Sequence, residues 1–104
     1  MEKRIFVLGS KDTVVGFRLV GVEGFVVRNE KEAEDALRAL VESENTGLLI
    51  IDKSTANMVR ELVNNIKIAS KLPIIVEVAD PKEGSKTEKD AITKFIKEAI
   101  GISV

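Results

Sequence analysis

The chain has 104 residues, 44% of them apolar and 32% charged, with a net charge of −1. That length suits one domain around one core, and the balanced charge provides no global field for nucleic acid or anionic lipid. With no Cys and no His, the chain lacks disulfides, thiol nucleophiles, imidazole bases and the usual zinc ligands, and Phe as the sole aromatic leaves little to stack on bases.

Arg4 to Gly9 holds a β-type run, Ile5-Phe6-Val7-Leu8. Ser10 or Asp12 can cap a helix running to about Gly21. A second strand is expected over Gly24 to Arg28. Asn29 and Glu32 have capping-box spacing and open a helix to about Glu42, with Ala33, Leu37, Leu40 and Val41 on one side. Asn45-Thr46-Gly47 breaks it. Leu48 to Ile51 is continuously apolar, as in a strand covered on both faces. Ser54 can cap a third helix to about Ser70, with Val59, Leu62, Val63 and Ile66 as its stripe. Pro73 starts a fourth strand, Ile74 to Val78, since proline is tolerated at a first strand position.

Residues 79–88, ADPKEGSKTE, form a polar loop longer than the usual connection. A last helix follows from Lys89 to about Ile100. The division expected is an α/β core over 1–78, a polar tether over 79–88 and a C-terminal amphipathic helix over 89–104. Regular β-α alternation implies one α/β domain with a four-stranded parallel sheet and helices on both faces. Apolar runs such as Leu48 to Ile51 are far too short to cross a bilayer, and the start of the chain carries no signal-peptide pattern. A soluble cytoplasmic protein is expected.

Three chemical readings fail on spacing. A dinucleotide loop needs Gly-x-Gly-x-x-Gly, but the glycines here are Gly9, Gly16 and Gly21. A P-loop needs Gly-Lys-Ser/Thr, and Gly16 is followed by Phe17 and Arg18. Asp52 ends the third strand where a phosphate-accepting aspartate sits in receiver domains. Yet Asp12 is a lone acid after strand one, and no fifth strand supplies a lysine. Asp52 therefore reads as a cap or turn residue. Acids, lysines and serines fall on solvent faces at helical spacing, which indicates no catalytic site, metal site or cofactor.

The first helix is apolar on two sides. At about 100° per residue, Val15, Leu19 and Val22 form one stripe suited to the sheet, and Phe17 lies about 200° from Val15 and from Leu19, with Val14 and Gly21 near it. Such a helix is either sandwiched within its own domain or docked on another protein. Gly16 and Gly21 cost helix stability and suit the close approach of another group. In the last helix Ala91, Ile92, Phe95, Ile96, Ala99 and Ile100 form a broad apolar face on a long tether. That helix can sit on its own sheet or on a partner.

Thr13 to Val27, TVVGFRLVGVEGFVV, resembles the signature of the F subunit of the archaeal-type and vacuolar-type rotary ATPases, above all in Gly16-Phe17-Arg18-Leu19-x-Gly21. Leu48-Leu49-Ile50-Ile51-Asp52, Leu72-Pro73 and the terminal Ile100-Gly101-Ile102 follow in the same order, so the resemblance spans the chain. It implies a Rossmann-like, non-catalytic component of the central stalk. Such a component pairs with the stalk's D subunit on the cytoplasmic side of the membrane and helps couple ATP synthesis or hydrolysis to proton or sodium transport. The resemblance also implies a regulatory C-terminal helix able to reach the catalytic A and nucleotide-binding B subunits. On this reading Val14, Gly16, Phe17, Arg18 and Gly21 are candidates for the contact with the D subunit, and Ile92, Phe95, Ile96 and Ile100 for the mobile face. The alternative is a degenerate receiver-like or phosphate-binding α/β module.

Overall fold

The computed structural model describes residues 3–69 and 71–81. Most of the expected tether and the whole terminal helix, with Ile92, Phe95, Ile96 and Ile100, lie outside the described residues. Four strands, β1 (Arg4–Gly9), β2 (Glu23–Val26), β3 (Thr46–Asp52) and β4 (Ile74–Val78), form one sheet in the order β2-β1-β3-β4, with every neighbouring pair parallel. Four helices connect them: α1 (Lys11–Arg18), α2 (Glu30–Glu42), α3 (Lys53–Met58) and α4 (Arg60–Ala69). The expected α/β class with a parallel sheet is the one observed.

Strand alternation sorts the core into two layers. Register pairs Phe6 with Leu49, Val7 with Ile50 and Leu8 with Ile51 across β1 and β3. Phe6, Leu8, Leu49 and Ile51 face one side, where Ala33 and Leu37 of α2, Ala56 of α3, and Val63 and Ile66 of α4 cover them. Val7 and Ile50 face the other side and meet Val14 and Phe17 of α1, together with Val78. Helices therefore lie on both faces. The central strands read as unbroken apolar runs because both of their faces are covered.

Local boundaries differ from expectation where side chains decide them. Asn29 caps α2 as its spacing predicts, its Oδ1 accepting from the Glu32 N–H at 2.8 Å, while Glu32 Oε1 accepts from the Arg28 N–H at 2.9 Å. The return arm of the box thus reaches one residue further back than usual. The single helix expected over 54–70 is two helices. It breaks at the buried Val59 (φ −128°, ψ 38°), after which Arg60 reaches Glu77 on β4 at 2.7 and 2.9 Å. Asp52 rather than Ser54 caps α3. α1 ends at Arg18 rather than near Gly21, because Leu19, Val20 and Gly21 close a turn back to β2 in which Gly21 takes φ +91°. Only glycine adopts that conformation without strain.

Candidate functional site

The strand order reverses direction between β1 and β3, and open α/β sheets take ligands outside the carboxyl ends of the strands at such a point. In this chain Asp52 stands there, with no exposed surface. Its two carboxylate oxygens serve different helices. Oδ1 accepts from the Thr55 N–H at 3.1 Å and from Ser54 Oγ at 3.5 Å, closing the start of α3. Oδ2 accepts from the Ser10 N–H at 2.9 Å, Ser10 Oγ at 3.1 Å and Thr13 Oγ1 at 2.7 Å, closing the start of α1. Burial pushes this carboxyl up, but the hydrogen bonds from Thr55, Ser10 and Thr13 outweigh it and hold the group below the ordinary carboxylate range. The reading of Asp52 as a cap is borne out, and a phosphate-accepting role requires an accessible oxygen that it does not have. Asp80 after β4 turns the same way, its Oδ1 accepting from the Ser54 N–H at 3.1 Å.

Thr13 also fixes the rotation of α1. Its hydroxyl must reach Asp52, so Thr13 faces inward, and residues three and four positions away follow it. Val14 is fully buried and Phe17 is 1% exposed, both against Val7, Ile50 and Val78. Val15 (45% exposed) and Leu19 (62%) face outward, and Val20 is 51% exposed in the turn. Val15 and Leu19, expected on the sheet, have thus exchanged places with Val14 and Phe17, expected to point away, while Val22 packs against the core and Gly21 is exposed as expected. Both candidate stripes are apolar, and the periodicity cannot separate them. Burying the large Phe17 surface, worth about 2 kcal/mol or more, together with the Thr13 tie, favours the observed side.

The expected contact residues therefore divide. Val14, Gly16 and Phe17 lie on the inner face, whereas Arg18 and Gly21 are exposed. No added Cβ at Gly21 would touch another group, so its role is the turn and not close approach. Beside this turn a shallow groove of about 600 Å³ is lined by Lys3, Arg4, Ile5, Arg18, Val22 and Glu23. Arg4 is paired with Glu23 at 2.6 Å and stacks 5.2 Å from the Phe6 ring centroid. The outer side of α1, with its turn, thus leaves Val15, Arg18, Leu19 and Val20 exposed. The signal that could have found it is the Thr13-Val14-Phe17 spacing, read with Asp52 as the hydrogen-bond partner.

Among the described residues no group of three or more acidic side chains is placed to hold a metal ion, and no helix is long and apolar enough to cross a membrane.

Comparison with known proteins adds a family to this geometry. Residues 5–96 match the family described as ATP synthase (F/14-kDa) subunit. The F subunit of the A-type ATP synthase of Methanothermobacter thermautotrophicus is 36% identical over 105 aligned positions, covering 100% of this chain and 98% of that protein. The corresponding F subunit of Thermococcus kodakarensis is 35% identical, covering 97% of each. Among solved structures, the F subunit of the V-type ATP synthase from Archaeoglobus fulgidus superposes with a TM-score of 0.61 at 20% identity, over 76% of this chain and 100% of that one, and so shares the fold.

Proposed function

The chain belongs to the family described as ATP synthase (F/14-kDa) subunit, and on that premise we propose that it is a non-catalytic part of the rotor's central stalk, gripped by the D subunit through the outer side of α1. Membership makes it one component among others of an ATP synthase complex. The observation that supports the docking face is that α1 remains apolar outside after its inner side is fully spent on the sheet. Val15 and Leu19 are exposed on a helix whose Val14 and Phe17 are buried. Exposed apolar side chains grouped on one element mark interaction surfaces more often than scattered ones do. In this arrangement Phe17 and Gly16 support the contact from beneath, and Arg18, Leu19 and the Gly21 turn make it.

The filled crevice at Asp52 fits the same role. A rotor component that transmits torque needs a rigid body and a partner surface, and the place where such a sheet would take a ligand is closed by its own side chain. Coupling of ATP synthesis or hydrolysis to proton or sodium movement then belongs to the assembly, and this chain sits on the cytoplasmic side as a peripheral part of it. Residues 89–104 supply a regulatory arm toward the A and B subunits. Co-expression with a homologue of the D subunit tests the pairing: a one-to-one complex is expected, and separate elution at micromolar concentration contradicts it. Deleting residues 89–104 and measuring ATP hydrolysis by the reconstituted head tests the arm, since unchanged activity contradicts regulation.

A further inference from the structure

The crevice between the carboxyl ends of β1 and β3 holds an anion that is part of the chain. We infer that Asp52 is an internal ligand: its carboxylate occupies the place where this strand order receives a bound group, and it converts a binding crevice into a lock between α1 and α3. Three observations carry this, independently of any partner.

The first is the division of labour between the oxygens. An ordinary N-cap serves one helix with one oxygen. Here Oδ1 serves α3 through Thr55, and Oδ2 serves α1 through Ser10 and Thr13, two segments about forty positions apart in sequence. The second is space. A Cβ added at Gly9 would stand 2.5 Å from Asp52 Oδ2 and 2.8 Å from Cγ, so the last residue of β1 is bare where the carboxylate lies. The third is completeness. Asp52 has no exposed surface, and donors from Ser10, Thr13 and Thr55, at the starts of two helices, converge on its oxygens together with Ser54 Oγ. A buried carboxylate is tolerated only when so satisfied. An incoming phosphate would meet a filled and negatively charged position, so the native chain takes no phosphate there.

The test uses the isotope-labelled full chain and the amide signals of Ser10 and Thr55. In Asp52→Gly, added formate, the smallest carboxylate, is expected to shift both signals together along one saturating curve and to raise the melting temperature relative to chloride at equal ionic strength. In the native chain formate and inorganic phosphate are expected to move neither signal. Formate that leaves both signals of Asp52→Gly in place, or moves them equally in the native chain, overturns the inference. So does phosphate that shifts them in the native chain. If Asp52→Gly does not fold, Asp52→Asn decides. Its side chain presents one oxygen and one NH2, so one of the two N–H groups must face a donor. Amide exchange at Ser10 or at Thr55, but not at both, is then expected to accelerate about tenfold or more. Unchanged protection at both positions overturns the inference.

Discussion

Thr13 Oγ1 donates to Asp52 Oδ2 at 2.7 Å, and this bond, wholly buried, links the first turn of α1 to the end of β3. It sets which side of α1 meets the sheet, and through that which residues are left for a partner. Thr13→Val keeps the shape and removes the donor, while the Ser10 N–H and Oγ still reach Oδ2. A loss of about 1–3 kcal/mol is expected, as for a hydrogen bond to a buried charge. Urea denaturation checks it, and a change below about 0.5 kcal/mol would remove Thr13 from the lock.

The two sides of α1 should respond oppositely to truncation. Phe17→Ala empties a fully buried site between α1 and the sheet and is expected to cost about 3–5 kcal/mol. Leu19→Ala removes a side chain that is 62% exposed and is expected to change stability by about 0.5 kcal/mol or less. Equal losses in thermal or chemical denaturation would place Leu19 in the core and reverse the orientation of the helix.

Gly9 is required because of Asp52 and not because of its backbone. Gly9→Ala would press its Cβ on the carboxylate, whose position five hydrogen-bond contacts fix. A loss of about 1–3 kcal/mol is expected from the overpacking. Gly9→Ala combined with Asp52→Gly removes the clash, so the pair should cost less than the sum of the two single changes in a double-mutant cycle. Strict additivity would show that the two residues do not press on one another.

Glu77 on β4 contributes, alongside Asp52, to the acid limb of stability. It accepts from Arg60 at 2.7 and 2.9 Å and from Lys67 at 2.6 Å, so two cations on α4 hold its carboxyl down from 4.5 to about 2. A carboxylate lowered on folding contributes stability that is fully present above its unfolded value and is lost as pH falls through the folded one. The window is therefore pH 4.5 down to about 2. Since Arg60 and Lys67 are more than one-third exposed, the contribution is at most about 3 kcal/mol and falls with salt. Glu77→Gln should reduce the slope of the stability profile across this window, leaving the part that Asp52 contributes, and an unchanged slope would mean that Glu77 contributes nothing to it.

Much of this arrangement was legible in the sequence, and the exceptions share a cause. Strand and helix order followed from apolar runs and periodicity. The Asn29-Glu32 cap followed from spacing, and Asp52 was readable as a cap from the lack of any partner acids. Each of these is a local property. The orientation of α1 was not local: both of its sides are apolar, and the choice depends on Asp52, thirty-nine positions beyond Thr13 in sequence. The same holds for the break at Val59, after which Arg60 reaches Glu77 on β4. Gly21 signalled a special position correctly, but the cause is a turn with positive φ and not the approach of another backbone.

The central claim is that the outer side of α1 is the surface by which a rotor partner holds this protein. Titration of the full chain with a homologue of the D subunit, native against Leu19→Asp, tests it most directly. Native chain is expected to bind one-to-one, with Leu19→Asp weakening affinity at least about tenfold while its melting temperature stays that of the native protein. Equal affinity of the two chains, at equal stability, would show that the partner takes hold elsewhere.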